Sequence, residues 1–501
     1  MSGFLLRRTR LVPVGPTAPG AAPRRDLDEP LDVRVVDGQV REVGTALRAE
    51  GLPEVAADGR WLVPGLWDQH VHLGQWAMAA QRLDLTTTRS RQQVLDQVAE
   101  RLDAVAGLPV VGWGHRPATL SEPPTTAVLD ELAGDRAVVL IAGDGHHAWL
   151  NRVAMRALSL AEREGMVNEG EWFATYPRLV RLVGTDGSSP EAYLHAMRVA
   201  AARGVTGLVD LEFDQSFSAW PARVEAGAAL LRVRVGAYVD TLDEFAAAGM
   251  QTGQPLPDCG ELVTMGPLKI ISDGSLNTRT AWCCREYVGG GHGAANISAS
   301  GLHHALDHAR RSGLEVAVHA IGDAAVWQAL DAFEATGVHG SIEHAQLVRR
   351  VDSRRMAALG VRASVQPAHL LDDRLLTETI WPDRTERCFA LRWFVDDGVD
   401  VVLGSDAPVA PLDPWLAMAA AVHRGEPHED AWHPEHHLTV AEALAASTDG
   451  QGTVAVGHRA DLALLDTDPL PAGDPVEQAR VLRGVRSDAT WVAGDLVHSE
   501  L

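Results

Sequence analysis

Short apolar runs alternate with alanine- and leucine-rich amphipathic stretches along most of the chain. Eight of these runs contain β-branched residues in nearly continuous apolar sequence, which is typical of parallel strands covered on both faces. Stretches such as "LHHALDHARRSG" and "AAVWQALDAFEATG", before and after the fifth run, have the composition of helices. The repeated strand–helix alternation predicts an α/β fold, a (β/α)8 TIM barrel. The eight runs are residues 65–73, 204–212, 231–239, 266–274, 314–323, 340–348, 361–369 and 399–408.

The two ends of the chain have a different pattern, in which short strands are separated by turns. In "DVRVVDGQVREVG" apolar positions flank an Asp-Gly pair, which predicts a hairpin. "GHRADLALLDTDPL" and "SDATWVAGDLVHS" predict further short strands near the other terminus. Because chain termini often lie close together, we expect residues 1–62 and 449–501 to form the two parts of a small β-sandwich domain. The barrel is then expected over 63–448, with an insertion at about 74–203.

Composition narrows the classes of function. The chain has 501 residues, 46% of them hydrophobic and 22% charged, as in a globular protein with a large core. Its net charge of −23 disfavours contact with nucleic acid or an anionic membrane. The four cysteines form no C-x-x-C pair, and no apolar run reaches the ~18–20 residues of a transmembrane helix. We expect a cytoplasmic protein that acts on a small-molecule substrate, without nucleic-acid or membrane partners, and with a homodimer as the assembly to consider.

Two histidines end the first of the eight runs. His70 and His72 are separated by one residue, so in a strand their side chains point the same way. Neutral imidazole is the commonest protein ligand for zinc and similar metals. The pair alone is equally compatible with two solvated or hydrogen-bonded polar residues, so the remaining strand ends decide between the alternatives.

Other strands carry further candidate ligands. These are Lys269 in the fourth run, and His319, His344 and Asp406 at the ends of the fifth, sixth and eighth runs. Each has a structural alternative: a buried histidine with its own partners, a lysine that reaches the barrel mouth, or an aspartate that caps a turn or helix. Taken together, four histidines and one aspartate at one end of one barrel predict a divalent metal site.

Seven segments together resemble the amidohydrolase superfamily and, within it, the amidohydrolase-3 group of YtcJ-like metal-dependent hydrolases. They follow the family's order over nearly the whole chain: "VPGLWDQHVH", "DGHHAWLN", "LKIISDGSLNTRTA", "VAVHAIGD", "SIEHAQLV", "VVLGSDAPV" and "GHRADLALLDTDP". The resemblance implies a flanking β-sandwich and a site that holds one or two divalent metal ions, with zinc as the expected ion. The implied ligands are His70, His72, Lys269, His319, His344 and Asp406.

The role of Lys269 has two interpretations. Apolar residues surround it in "GPLKIISDG", so its amine is expected beside the metal charges, where desolvation and like-charge repulsion lower its pKa. The resemblance implies that a lysine bridging two metals is carboxylated by CO2, and a neutral Lys269 amine is able to form that carbamate. The alternative is a neutral lysine that ligates or flanks a single metal.

The expected reaction is hydrolysis of a non-peptide C–N bond, amide or formamide-like, by a metal-activated water. Asp406 is expected to take the water proton and pass it to the leaving nitrogen. His146, in "DGHHAWLN", is expected to contact the substrate carbonyl, unless it is a loop histidine that bonds the backbone. Arg279 is expected to recognise an anionic substrate group, unless it holds its own loop together.

The sequence departs from the group's pattern at two places. For this reason the substrate of this protein is not inferred from those of the group's members. Asn277 and Thr278 stand where the group has Gly-Ser, and "GWGH" ends in His115 where an aspartate is usual. Three alternatives therefore stay open: a metal-dependent decarboxylase on the same barrel, a hydrolase of cyclic amides or amidines, and a non-catalytic metal-binding barrel.

Overall fold

The chain forms two compact units. The first contains the segments up to residue 72, 197–406 and 410–501, and the second contains 73–196 and 407–409. The computed structural model describes residues 3–15, 29–79, 82–105, 107–117, 120, 122–143, 145–183, 189–213 and 219–501.

The two termini supply the strands of one eight-stranded sheet in the first unit. Their side chains bury a common apolar cluster that includes Phe4, Leu62 and Trp491, and the rings of Phe4 and Trp491 are stacked 5.0 Å apart. The strand at residues 61–64 pairs with those at residues 3–11 and 462–465, and so joins the beginning of the chain to its end. The strands are β1 Gly3–Leu11, β2 Leu31–Val36, β3 Gln39–Gly44, β4 Glu54–Ala56, β5 Trp61–Pro64, β19 Leu462–Leu465, β20 Ser487–Val492 and β21 Asp495–Ser499.

The first unit also contains the predicted barrel, a nearly closed sheet of eight parallel strands. The strands neighbour one another in chain order, and each overlaps one of the eight predicted runs. The predicted fold class is therefore confirmed. The strands are β6 Leu66–Val71, β12 Val205–Asp210, β13 Arg232–Tyr238, β14 Val263–Ile271, β15 Val316–Ala320, β16 Gly340–His344, β17 Arg362–Val365 and β18 Val401–Leu403.

Helices of the first unit have the capping residues and the spacing of buried residues that are typical of amphipathic helices. The third of them begins after Ser298, whose side chain accepts a hydrogen bond from Gly301 N, and it buries residues spaced by three or four positions, such as Leu302 and Leu306. The helices are α7 Trp220–Glu225, α8 Leu242–Ala247, α9 Ala299–Arg311, α10 Asp323–Thr336, α11 Arg350–Leu359, α12 His369–Ile380, α13 Leu391–Asp397, α14 Pro414–His423, α15 Val440–Ala445 and α16 Pro475–Gly484.

The second unit has its own five-stranded sheet, and its segment 73–196 overlaps the region where an insertion was predicted. Its central strand is buried on both faces, because Val139 and Ile141 join one apolar cluster while Val138 and Leu140 join another. The strands are β7 Leu83–Asp84, β8 Val110–His115, β9 Val138–Ala142, β10 His147–Leu150 and β11 Val167–Asn168. The helices are α1 Leu73–Ala79, α2 Arg91–Ala104, α3 Thr126–Ala133, α4 Arg152–Ala157, α5 Glu169–Val183 and α6 Pro190–Ala201, the last of which continues into the first unit.

In the described part of the chain, no helix combines the length and apolar character needed to cross a membrane. Because the eight barrel strands are parallel, their carboxyl ends meet at one end of the barrel. The candidate ligands at those ends are therefore brought towards a common centre.

Candidate metal centre

His70, His72 and Asp406 meet where the first and eighth barrel strands come together. The Oδ1 atom of Asp406 lies 3.3 Å from His70 Nε2 and 3.1 Å from His72 Nε2. The backbone supports this approach, because Asp406 N donates a hydrogen bond to His70 O at 2.7 Å. The two histidines that the sequence places on one face of a strand thus share one carboxylate oxygen.

Gly404 and Asp68 hold these two strand ends together. Asp68 Oδ1 accepts hydrogen bonds from His70 N at 3.1 Å and from Ser405 N at 2.9 Å. Burial raises the pKa of Asp68 to about 7. A Cβ atom on Gly404 would lie 2.8 Å from His70 N, so only glycine fits this close contact. Asp68 was not among the predicted site residues, although it lies two residues before His70.

Glu343 orients His70. Its Oε2 lies 2.6 Å from His70 Nδ1, and both side chains are at most 2% exposed. The carboxylate accepts a hydrogen bond from the Nδ1–H group, so the lone pair of His70 is on Nε2, which faces Asp406. Burial opposes ionisation, but the hydrogen bond and charge of His70, together with Lys269 and the Ser341 hydroxyl, outweigh it and lower the pKa of Glu343.

Sequence reasoning missed Glu343 because neighbouring strand residues normally point to opposite faces. His344, the next residue, also lies in the centre, with its ring centroid 5.0 Å from that of His70. The backbone at His344 has φ 68°, and this left-handed conformation breaks the alternation at the strand end. The adjacent pair in "SIEHAQLV" is the signal that could have identified the carboxylate.

Lys269 lies against His70 and is buried. It is 2% exposed, and its Nζ donates a hydrogen bond to His70 Nε2 at 3.3 Å. Burial lowers the pKa of Lys269, while the carboxylates of Glu343 and Asp406 act in the opposite direction. Lys269 is also the only lysine in the chain. The other 43 of the 44 lysine and arginine residues are arginines. Because arginine is not deprotonated in proteins, only a lysine can present a neutral amine here.

His344 and His319 are neighbours, with ring centroids 4.6 Å apart. Burial, reinforced by the charge of His319, lowers the pKa of His344 well below its usual value, which favours the neutral imidazole that binds metals. His319 Nε2, however, donates to Gly274 O at 3.3 Å and lies 3.5 Å from Asp273 Oδ1. The structure therefore places His319 beside the centre with this nitrogen turned to the loop after β14, and its role as a ligand stays a prediction.

Among the residues that the structure describes, two sets of three side chains have the composition and spacing of metal sites. One is His70, His72 and Asp406, and the other is His344, His369 and Asp406; in each set the ligand atoms lie within 4.8 Å of one another. Imidazole nitrogens and a carboxylate oxygen suit borderline divalent cations. In addition, His72 Nδ1 and His369 Nε2 are buried and have no hydrogen-bond partner among the described residues. The donor set therefore fits a divalent metal.

His369 was not among the predicted ligands. It is the first residue of α12 and follows the seventh barrel strand, in the predicted run "VRASVQPAH". Like the other candidates, His369 follows a predicted barrel strand. That position in the sequence could have identified it as a candidate ligand.

Asp406 itself has an electrostatic environment that keeps it ionised. Burial acts to raise the pKa of Asp406, but the imidazoles of His70 and His72 outweigh burial and hold it well below its ordinary value. Its backbone φ of 57° is in the left-handed region, which aspartate tolerates better than most residues.

The two predicted substrate residues lie in different places. His146 belongs to the second unit, immediately before β10, and its role stays a prediction. Arg279 is exposed, has φ 58°, and donates from Nη1 to Val288 O at 3.3 Å. This contact is the one expected if the arginine holds its own loop together.

The two departures from the family pattern have local partners. His115 is buried in β8, where its Nδ1 donates to Ile141 O at 3.1 Å. Thr278 Oγ1 shares hydrogen bonds with the hydroxyl groups of Ser275 and Thr280, at 2.9 and 2.5 Å. Both residues thus stabilise the loops or strands that contain them.

Comparison with known proteins gives matches over most of the chain. A family model described as the amidohydrolase family matches residues 54–498. The chain is 27% identical over 518 residues to the putative amidohydrolase YtcJ of Bacillus subtilis, covering 93% of this chain and 96% of that protein. It is 24% identical over 521 residues to N-substituted formamide deformylase of Arthrobacter pascens, covering 90% and 93%.

A solved structure has the same fold. It is an uncharacterized metal-dependent hydrolase from Pyrococcus horikoshii, with a TM-score of 0.76 and 24% sequence identity. The match covers 94% of this chain and 99% of that one.

Proposed function

The chain belongs to the amidohydrolase family and uses a divalent metal to hydrolyse carbon–nitrogen bonds other than peptide bonds, and we propose that its substrate is a linear amide or N-substituted formamide. The name of the Arthrobacter relative gives N-substituted formamides as the substrates of that protein, which supports this choice of class. The acidic surface, with its net charge of −23, is in keeping with a cytoplasmic enzyme for small molecules.

The observation that carries the proposal is the position of Asp406 between two pairs of histidines. His70 and His72 contact one of its oxygens, while His344 and His369 complete the second candidate set. A divalent metal bound there supplies Lewis acidity, which polarises a substrate carbonyl and lowers the pKa of water to about 7.

Asp406 is the proposed proton carrier of the reaction. Its carboxylate is ionised, because the surrounding imidazoles hold its pKa well below the usual value against the effect of burial. It accepts a proton from the attacking water and delivers that proton to the leaving nitrogen, so that an amine and an acid are released. Glu343 acts through His70, whose orientation it fixes.

Within this site we propose zinc as the metal and a carbamate on Lys269. The Lys269 amine is buried, and burial lowers its pKa, so the neutral form is accessible. The nitrogen lone pair adds to the carbon of CO2, one N–H proton is released, and an anionic oxygen ligand results. The presence of a single lysine in an otherwise arginine-based chain supports a role that needs this amine.

For substrate binding we propose His146 as the partner of the carbonyl oxygen. Arg279 is proposed as a contact for an anionic substrate group only if its hydrogen bond to Val288 is released. The loop-holding role is the alternative that its present contact supports.

The proposal is tested with purified protein, freed of metal by a chelator and reloaded with zinc, against linear amides and N-substituted formamides. We expect release of amine and acid in equal amounts, loss of turnover without metal, and recovery on reloading. Release of CO2 from carboxylated substrates, without amine, would instead identify a decarboxylase. A fully zinc-loaded protein that turns over cyclic amides alone would overturn the choice of linear substrates.

A further inference from the structure

His369 begins helix α12, and its side chain lies at the same centre as Asp406. The side chain is 11% exposed, and its Nε2 lies 3.9 Å from Asp406 Oδ2. Its ring is stacked on that of His344, with centroids 6.1 Å apart and an interplanar angle of 23°. Among the residues that the structure describes, none forms a hydrogen bond with His369 Nε2. A buried polar nitrogen of this kind calls for a ligand from outside the chain.

Another buried histidine shows what a structural role looks like. His423 ends helix α14, and its Nε2 lies 3.1 Å from the carbonyl oxygens of both Glu426 and Glu429. That nitrogen is satisfied by the backbone of its own neighbourhood. His369 has a carboxylate oxygen instead, at a distance too long for a hydrogen bond. Metal–ligand distances of about 2.0–2.2 Å allow one cation to contact two atoms that are this far apart.

The two oxygens of Asp406 face different histidines. Oδ1 is the atom near His70 and His72, whereas Oδ2 is the atom near His369. A carboxylate arranged in this way can contribute one oxygen to each of two neighbouring cations.

From these contacts we infer that His369 is a metal ligand, which binds a divalent cation together with His344 and Asp406, next to the position served by His70 and His72. The inference rests on the proposed function, because it assumes a metal at this end of the barrel. It adds a ligand from the seventh strand end to those predicted on strands one, four, five, six and eight.

The test measures metal binding and needs no substrate. Metal-free wild-type protein, His369→Ala, His369→Gln and the control His339→Ala are titrated with Zn²⁺ and with Co²⁺. His339 is exposed at the opposite end of the β16 strand from His344, so its loss leaves the centre intact. The readouts are bound metal per chain by elemental analysis, the affinity from competition with a chelator, and the visible absorption of bound Co²⁺. Circular dichroism and Tm establish that each variant is folded.

We expect both His369 variants to bind one cation at least ~10-fold more weakly, with a changed Co²⁺ spectrum, while His339→Ala matches wild type. Metal content, affinity and spectrum equal to wild type in a folded His369→Gln protein would overturn the inference. That result combined with a raised KM would assign His369 to the substrate. If His369→Ala does not fold, His369→Gln decides. Wild-type protein that binds no divalent metal contradicts the proposed function as well, whereas normal wild-type binding with unaffected His369 variants contradicts this inference alone.

Discussion

Asp273 and Asp406 both follow barrel strands and both are buried, but their carboxylates have different partners. Asp273 accepts hydrogen bonds from the backbone N–H groups of Ile321, Gly322 and Trp282, at 3.0, 2.8 and 2.8 Å. Asp406 has imidazoles around both of its oxygens. Burial raises the pKa of Asp273 to about 7, whereas the pKa of Asp406 lies well below its ordinary value.

This difference separates a structural acid from a reactive one at the same end of the barrel. Three amide donors leave Asp273 little capacity for another ligand, and they tie the loop after β14 to the segment that precedes α10. The oxygens of Asp406 face histidine imidazoles, which can bind a cation together with the carboxylate. The partner of a buried carboxylate, and not its burial or its place after a strand, therefore indicates its role.

The largest effect is expected for Asp406→Asn. The variant loses the proton carrier, so kcat should fall by ~10²–10⁴ while the fold and most of the metal are retained. Turnover is compared with metal content measured on the same sample. Asp413→Asn is the matched control, because Asp413 caps α14 by accepting from Trp415 N and Leu416 N. Wild-type turnover in Asp406→Asn would reduce Asp406 to a structural residue.

Lys269→Ala is expected to lose metal and activity together, with an affinity lower by more than ~10-fold, because a carbamate ligand can no longer form. Short carboxylic acids such as acetate or propionate should partly restore both. Since Lys269 is the only lysine, ¹³C NMR of protein kept under ¹³CO2 should show one side-chain carbamate signal, which Lys269→Arg abolishes. An unmodified Lys269 in a crystal of the active, fully metallated enzyme contradicts the carbamate and leaves a mononuclear mechanism.

Glu343→Gln tests whether the orientation of His70 matters. The glutamine amide is uncharged, so it is a weaker hydrogen-bond acceptor for the Nδ1–H group than the carboxylate. Metal affinity should therefore fall by ~10–100-fold. The measurement is competition with a chelator at fixed pH. Ser341→Ala is the milder control, because Ser341 Oγ donates to the oxygen of Glu343 that does not bond His70. Equal affinities for the wild type and Glu343→Gln would mean that the metal holds His70 in place unaided.

The smallest effect on catalysis is expected for Asp273→Asn. The variant weakens at least one of the three backbone hydrogen bonds, so the free energy of unfolding should fall by ~1–3 kcal/mol. Turnover per metal-loaded, folded molecule should stay within a few-fold of wild type. Stability is measured by denaturant titration, and turnover is measured on the same preparation. A loss of kcat as large as that of Asp406→Asn, without a change in stability, would contradict the contrast between the two acids.

The barrel was predictable because its signal is local and repeated. Each barrel strand is a short run whose side chains are largely covered on both faces, and strand β15 is buried at every position. The histidine pair was predictable for a similar reason, since His70 and His72 obey the two-residue period of a strand. Asp406 could be predicted because it comes just after a barrel strand, and Lys269 because it lies inside one, in "GPLKIISDG".

Other parts of the site depend on departures from regular geometry. Glu343 and His344 lie in the same centre because the backbone at His344 is left-handed, and no strand period predicts that. His319 was predicted as a ligand at a strand end, yet the direction of its Nε2 depends on Gly274, which is 45 residues away in the chain. His369 was not predicted because it begins a helix and does not belong to the two-residue pattern that identified His70 and His72.

The sequence by itself determined which elements form and which end of each strand carries polar chemistry, because periodicity and burial act over a few residues. Only the tertiary structure decided which nitrogen of each histidine faces Asp406 and which carboxylates are already occupied. Those choices depend on hydrogen bonds between distant segments, such as His70 with Glu343 and Asp273 with Ile321. Both residues of each pair can be read in the sequence, but only the folded barrel brings them into contact.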